Sequence, residues 1–443
     1  MPEININNLR GIARILFDKV TSGAGQGPFF ELKNLQAWVV DVKTRIHFVD
    51  AIETIVQQLP GFRRQSENMR DILLSDLVMI GEIPSPTFGE EARIRFIVNR
   101  FCELGLQSCS IDEKGNGTGM IPGSEGERTI VLVAHADTFV ANTRDQTIEV
   151  TTDRLIGPFV GDNSIALAAL TTLPVLLEKL GLKLKSNVLL LASTRVLGRG
   201  NLEGTRFFVA NSSVPIHAGL CLESVQLGRL NYTCIGMFRA EIHCRLPKDY
   251  NWAHFGTTGS IIPMSDVVNR ISRIPLSRRP LSTIVMGSIN GGLTYNNIAR
   301  ETVLKIEVRS ESSESLNQIK QQIEDVVQEV SAQSGTQVTL DVFTRREPGG
   351  IDIAHPLVRN AKSIITALGL QPMIYPTTSQ LAALRDAGIP SLTLGLTTGE
   401  RRNELDEIDE AVAIAPLFSG MAQLVGMLLS MDEGVGNANR PMV

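Results

Sequence analysis

The sequence predicts an α/β protein in which a doubly wound domain is interrupted by a β-α-β-β-α-β unit of the ferredoxin-like kind and preceded by a helical segment. Three observations carry this. Short, almost wholly apolar runs at 129–134 and 187–192 flank a helical run at 164–180, as expected of parallel strands buried on both faces and joined by a crossover helix. Near residue 230 the pattern becomes an alternation of period two, with Phe238, Ala240, Ile242, Cys244 and Leu246 on one side of a half-buried strand. After residue 356 a helix (356–368) and an apolar strand (391–395) restore the first pattern, so the smaller unit lies inside the larger one.

The elements follow in order. Leu9, Ile12, Leu16 and Val20 recur at helical spacing, and so do Trp38, Val42, Ile46, Val49, Ile52, Val56 and Leu59, with Pro60-Gly61 as the expected stop. This is a helical extension over 1–65, a hairpin packed on the main body or a docking module for a protein partner. A helix through Leu73, Leu77 and Ile80 ends at Pro84-Ser85-Pro86, and another spans 90–104. Within the inserted unit a helix is expected at 265–274, strands at 283–288 and 302–310, a helix at 314–333 and a strand at 337–343. The expected division is 1–65, then 66–228 with 342–434 as the α/β domain, 229–341 as the insertion, and 435–443 as a tail.

Composition excludes several classes of function. The net charge of −5 comes from 42 basic and 47 acidic residues in mixed order, which leaves no basic stripe for nucleic acid and no polybasic membrane patch. The five cysteines are scattered and never form a Cys-x-x-Cys pair, so neither a disulfide framework nor a thiolate zinc site is expected. With no leader-like segment at the start and no apolar run of about 18 residues, a cytoplasmic location is expected.

The chemistry-bearing feature is His135-Ala-Asp137 at the end of the 129–134 strand. An imidazole there can hold a metal while a nearby carboxylate fixes its tautomer. Taken singly, His135 reads first as a satisfied strand-end histidine. Asp162, just before a helix, reads as an N-cap, and Glu223 as a surface carboxylate after an apolar turn.

Taken together and in order, the motifs resemble those of the co-catalytic zinc peptidase and deacylase family that includes tripeptidase T, acetylornithine deacetylase, succinyl-diaminopimelate desuccinylase and aminoacylase. The resemblance rests on Ile83-Pro-Ser-Pro-Thr-Phe-Gly-Glu-Glu91, His135-Ala-Asp137, Gly161-Asp-Asn163, Trp252-Ala-His254-Phe-Gly256, Gly287-Ser-Ile-Asn-Gly-Gly292, Asn296-Asn-Ile298, Val308-Arg309, Ala387-Gly-Ile-Pro390 and Leu394-Gly395. Each motif is weak alone; their order over some 300 residues is not. The resemblance implies that His135, Asp162 and Glu223 ligate one zinc ion and that Asp137 orients His135. It further implies that His254, with Asn296 and Arg309 in support, steadies a peptide-like or N-acyl amino-acid ligand, and that the inserted domain serves as lid and homodimer contact.

The chain departs from the family where the catalysis should sit. The family's adjacent glutamates, one the general base and one a ligand of the second metal, fall at Arg195 and Val196, and no acidic residue occurs between Glu178 and Glu203. The family's last ligand is a late histidine, but no histidine follows His355; Glu400 or Glu404 falls near that place. The resulting expectation is at most one divalent ion per chain, or none, little or no hydrolysis, and a role in binding a ligand or partner. A mononuclear zinc hydrolase with an unrecognised base is the alternative. Arg195 reads either as a solvated loop residue or as a counter-charge to Asp162 or Glu223.

Overall fold

The computed structural model describes residues 51–139, 145–248, 259–400 and 409–433. The expected helix and loop between residues 9 and 28, the 435–443 tail, His254 and Glu404 lie outside them.

A seven-stranded sheet forms the centre of the larger unit. Its strands are β1 (Gln107–Ile111), β2 (Gly117–Ile121), β3 (Thr129–His135), β4 (Asn187–Ser193), β5 (Ala218–Val225), β6 (Leu230–Asn231) and, after the insertion, β11 (Ser391–Thr397). They lie in the order β1-β2-β4-β3-β5-β11-β6. The inner strands β4, β3, β5 and β11 are parallel, and β1, β2 and β6 close the edges in antiparallel pairing. The parallel strands are buried along nearly their whole length, which is why they read as continuous apolar runs.

Helices cover both faces. α1 (Arg70–Gly81), α2 (Glu91–Glu103), α3 (Ile165–Lys179), α7 (Pro356–Ala367) and α9 (Ala415–Asp432) share one continuous core, whereas α4 (Glu203–Asn211) and α8 (Leu381–Asp386) pack together on the other side. The stretch Val160–Lys179 is long and apolar enough to cross a membrane, yet it is 89% buried within the protein. Its apolarity is that of a core helix.

Pro60-Gly61 does not end a helix: residues 51–68 are helical throughout. Pro60 and Gly61 face solvent while Ile55, Leu59, Phe62 and Met69 form a buried stripe on either side of them. The stripe packs on α9, where the smallness of Gly426 admits Leu59 and Ile55. Tertiary burial outweighs the local cost of the proline.

The inserted unit is a four-stranded antiparallel sheet of β7 (Gly236–Arg245), β8 (Ser282–Gly291), β9 (Glu301–Ser310) and β10 (Gln337–Arg346), in the order β8-β9-β7-β10. Phe238, Ala240, Ile242, Leu304, Ile306 and Val308 point to α5 (Ile261–Ile271) and α6 (Ser313–Ser334), forming a separate core. The opposite face of the sheet is polar. The register sets Arg239 beside Glu307, and Met237 between Arg309 and Arg346.

Candidate metal and ligand site

The C-terminal ends of parallel strands gather polar side chains, as in doubly wound sheets generally. β3 ends on His135, β5 carries Glu223 near its end, and the irregular turn Val160–Ser164 ahead of α3 supplies Asp162. All three are buried, and one ligand atom from each lies within 4.8 Å of the others. This is the trio named from sequence. Glu223 sits inside a strand and is 7% exposed, so it is neither in a turn nor on the surface.

Asp162 is not a helix cap. Its backbone is extended (φ −151°, ψ 73°), and α3 starts three residues later without a side-chain cap. Neighbouring residues fix the turn instead. Asn163 donates to the carbonyl of Leu222 at 3.0 Å and accepts from the backbone and hydroxyl of Ser224, each at 2.8 Å, so it bridges both sides of Glu223. Gly161 donates its N–H to Glu410 Oε2 at 2.6 Å, and a Cβ on Gly161 would meet that oxygen at 2.9 Å.

His135 faces two acceptors. Its Nε2 lies 3.1 Å from Asp162 Oδ1 and its Nδ1 lies 3.0 Å from the backbone carbonyl of Asp137. An Nδ1–H donated to that carbonyl leaves the Nε2 lone pair turned to Asp162 and Glu223, the tautomer a metal needs. The Asp137 carboxylate is further, 3.5 Å from Nδ1, so orientation of His135 comes first from the carbonyl of Asp137. Burial pulls the imidazole pKa down, but the Asp137 and Asp162 carboxylates overcome it and hold His135 well above the ordinary histidine value.

The Asp137 carboxylate is turned to the loop after β4. Its Oδ2 accepts from Thr87 Oγ1 at 2.9 Å and from the backbone N–H groups of Val196 and Leu197 at 3.0 and 2.8 Å. The loop is thereby held against the site, and Val196 lines the cavity with an apolar side chain.

Arg195 does not neutralise Asp162 or Glu223. Its backbone is left-handed (φ +53°), its N–H is fixed by Glu90 Oε1 at 2.8 Å, and its guanidinium turns to Glu203 at 3.4 Å beside the Phe88 ring. The cation near the trio is Arg229, 3.6 Å from Glu223 Oε2, with its guanidinium over Tyr375 and a 3.0 Å bond to Gln226. The first residue after Gly228 in a turn between strands carries no motif signal, and sequence reasoning passed over it.

Arg93 was also missed, and Glu90 stood in the 83–91 motif without an assigned role. Arg93 is buried on the inner face of α2 with Ile94, Ile97 and Phe101, and an arginine at such a position is itself a signal. It donates to the carbonyls of Ala136, Gly81 and Ile83 at 3.1, 3.1 and 3.0 Å, fixing the backbone between His135 and Asp137. Burial brings its pKa down to about 10. Glu90 is buried behind the loop, and burial raises its pKa against the opposing pull of the N–H groups it accepts from.

A cavity of about 530 Å³ opens in front of the trio. Its lining includes Val196, Arg229, Arg239, Arg309, Arg346 and Gln380, so Arg309 reaches this site. Asn296 does not: it is exposed and lines a separate depression of about 980 Å³ beside β8 and β9. Glu400 is exposed and is not part of a metal-binding cluster among the described residues.

Residues 240–334 match the family described as the peptidase dimerisation domain, the M20_dimer model. No curated protein matches in sequence. Solved structures match in fold. Aminopeptidase PepT from Bacillus cereus aligns at TM-score 0.63 and 15% identity over 82% of this chain and 98% of its own. The di-peptidase Dug1p from Saccharomyces cerevisiae aligns at 0.69 and 13% over 85% and 99%. The YXEP protein of Bacillus subtilis, described as a dinuclear metal binding peptidase from the M20 family, aligns at 0.56 and 16% over 82% and 98%. The chain therefore has the M20 peptidase fold with that family's dimerisation domain inserted.

Proposed function

We propose that this M20-peptidase fold serves as a ligand-binding protein of low or no hydrolytic activity, holding at most one divalent ion at His135, Asp162 and Glu223. The observation that carries this reading is the loop after β4. Arg195 points away to Glu203 and Val196 presents an isopropyl group to the cavity, so neither residue offers a carboxylate at the position of the expected glutamate pair. General-base assistance is typically worth about 10²–10⁴-fold in rate, and neither position 195 nor position 196 supplies it.

The donor set of one imidazole nitrogen and carboxylate oxygens within 4.8 Å fits a zinc-like ion. Such an ion, when bound, supplies a Lewis acid that polarises a carbonyl. The protein's own groups do the rest: Nδ1 of His135 is pinned by the carbonyl of Asp137, Asn163 holds the Asp162 turn to β5, and Arg229 offsets part of the charge of Glu223. Arg229 also weakens the hold on a cation, since it competes for the same carboxylate. The ligand class that best suits the cavity is a peptide or N-acyl amino acid, with Arg309 on its carboxylate. Homodimerisation through the inserted domain is part of this reading, and the exposed Val285 and Ile289 on the edge strand β8 support it.

Elemental analysis after dialysis, together with turnover assays on dipeptides, tripeptides and N-acyl amino acids, tests the proposal. The expected result is no more than one zinc per chain and turnover near background. Two ions per chain, or robust hydrolysis, would overturn it. For the dimer, sedimentation at micromolar concentration should give twice the chain mass of 48.3 kDa.

A further inference from the structure

The wall of the cavity opposite the trio is unusually cationic. It is the polar face of the inserted sheet, where Arg239, Arg309 and Arg346 line the same 530 Å³ space. The register places Arg309 and Arg346 on either side of Met237, and Arg239 one step along β7. The carboxylate among them is Glu307, which takes Arg239 on one oxygen at 2.5 Å and Arg309 on the other at 2.5 Å. Arg346 donates to neutral acceptors, Asn201 Oδ1 at 3.0 Å and the Thr378 carbonyl at 2.8 Å. Arg239 and Arg309 thus share one carboxylate while Arg346 rests on neutral acceptors, which leaves this wall of the cavity with a net positive charge.

Two further observations point to a missing anionic partner. Gln380 is fully buried and lines the same cavity, and neither its amide nitrogen nor its amide oxygen has a hydrogen-bond partner. Arg346 is pushed down to about 9, first by burial and then by the neighbouring positive charges of Arg239 and Arg206. A bound anion relieves both conditions.

We propose that Arg239 and Arg346, with Gln380 beside them, form a second anion subsite, so that the preferred ligand carries an acidic group in addition to the carboxylate received by Arg309. The ligand class is a peptide or N-acyl derivative of an acidic amino acid. Its orientation follows from charge. Asp162 and Glu223 repel carboxylates from the strand ends, so the acidic groups face the inserted sheet and the amide lies toward His135. Guanidinium groups suit this role because they bind carboxylates through paired, charge-assisted hydrogen bonds.

This inference rests on the ligand-binding reading above, and one calorimetric titration separates the two. Full-length protein is titrated with N-acetyl-glutamate and with the nearly isosteric, neutral-side-chain N-acetyl-glutamine. The expected result is a preference of about tenfold or more for the glutamate, equivalent to about 1.4 kcal/mol. Arg239→Gln should abolish the preference, read as the ratio of the two affinities within each variant, and Arg239→Lys should retain part of it. Arg239 is only half buried in the wall, so its replacement is the safer variant; Arg346→Gln provides the second, with its fold checked by circular dichroism. Equal affinity for the two ligands, or a preference that survives in both glutamine variants, would overturn the second subsite and leave the broader reading standing. Binding of neither compound, nor of neutral dipeptides, would overturn both.

Discussion

The backbone N–H of Val196 lies 3.0 Å from Oδ2 of Asp137, and this contact ties the loop after β4 to the strand end that carries His135. The loop backbone is therefore anchored against the site while its side chains offer no carboxylate.

Val196→Glu tests that description directly. The new carboxylate would enter a buried space beside Asp162 and Glu223, and like-charge crowding should destabilise the metal-free protein by about 2–4 kcal/mol. Zinc at about 100 times its Kd should restore about 2.7 kcal/mol by mass action. Thermal melts with and without zinc give the readout. A variant that melts like wild type and ignores zinc would place residue 196 outside the site.

Arg195→Ala should do little. The Arg195–Glu203 pair is partly exposed, and such pairs contribute about 0–1 kcal/mol. Zinc affinity measured by competition with a chelating dye should be unchanged. A marked rise in affinity would mean that the guanidinium does act on Asp162 or Glu223.

Arg93→Met should be far more damaging. It leaves the carbonyls of Ala136, Gly81 and Ile83 short of a donor, at about 1–3 kcal/mol for each one left unsatisfied in the interior. Chemical denaturation should show a loss above about 3 kcal/mol, and zinc affinity should fall because the backbone between His135 and Asp137 is no longer fixed. A loss below about 1 kcal/mol would contradict the assigned role.

The pH dependence has a definite sign. Because the folded-state pKa of His135 is raised, its contribution to the stability of metal-free protein is complete below the unfolded imidazole value near 6.5 and disappears as pH rises through the higher folded value. Zinc requires the deprotonated ring, so its affinity should increase over the same interval with release of a proton. Melts of chelator-treated wild type and His135→Gln should differ most at pH 6 and draw together as pH rises. A gap that widens with rising pH would refute the assignment.

Much of this was legible in the sequence because buried parallel strands and a period-two insertion leave strong patterns. The trio His135, Asp162 and Glu223 was legible because ordered motifs survive even where each member alone has an ordinary structural reading. What escaped depends on geometry between distant segments. Arg229 meets Glu223 across a turn, Arg93 reaches strand-end carbonyls from an otherwise apolar helix face, and Arg239 and Arg346 become neighbours only through β-sheet register. The direction of Arg195 was not readable either, since its left-handed backbone and the Glu90 contact decide where its side chain goes.

The bond from Gly161 to Glu410 joins positions 249 residues apart in the chain. During synthesis the Asp162 turn emerges early, yet its anchor on the strand Asp409–Ala413 is made only after the whole insertion and the last sheet strand have left the ribosome. The nascent protein thus carries His135, Asp162 and Glu223 through the synthesis of the whole insertion without the Gly161–Glu410 bond that holds the Asp162 turn. The three donors consequently reach their final arrangement late in the life of the chain, and an ion that met them earlier would find a loose set rather than a finished site.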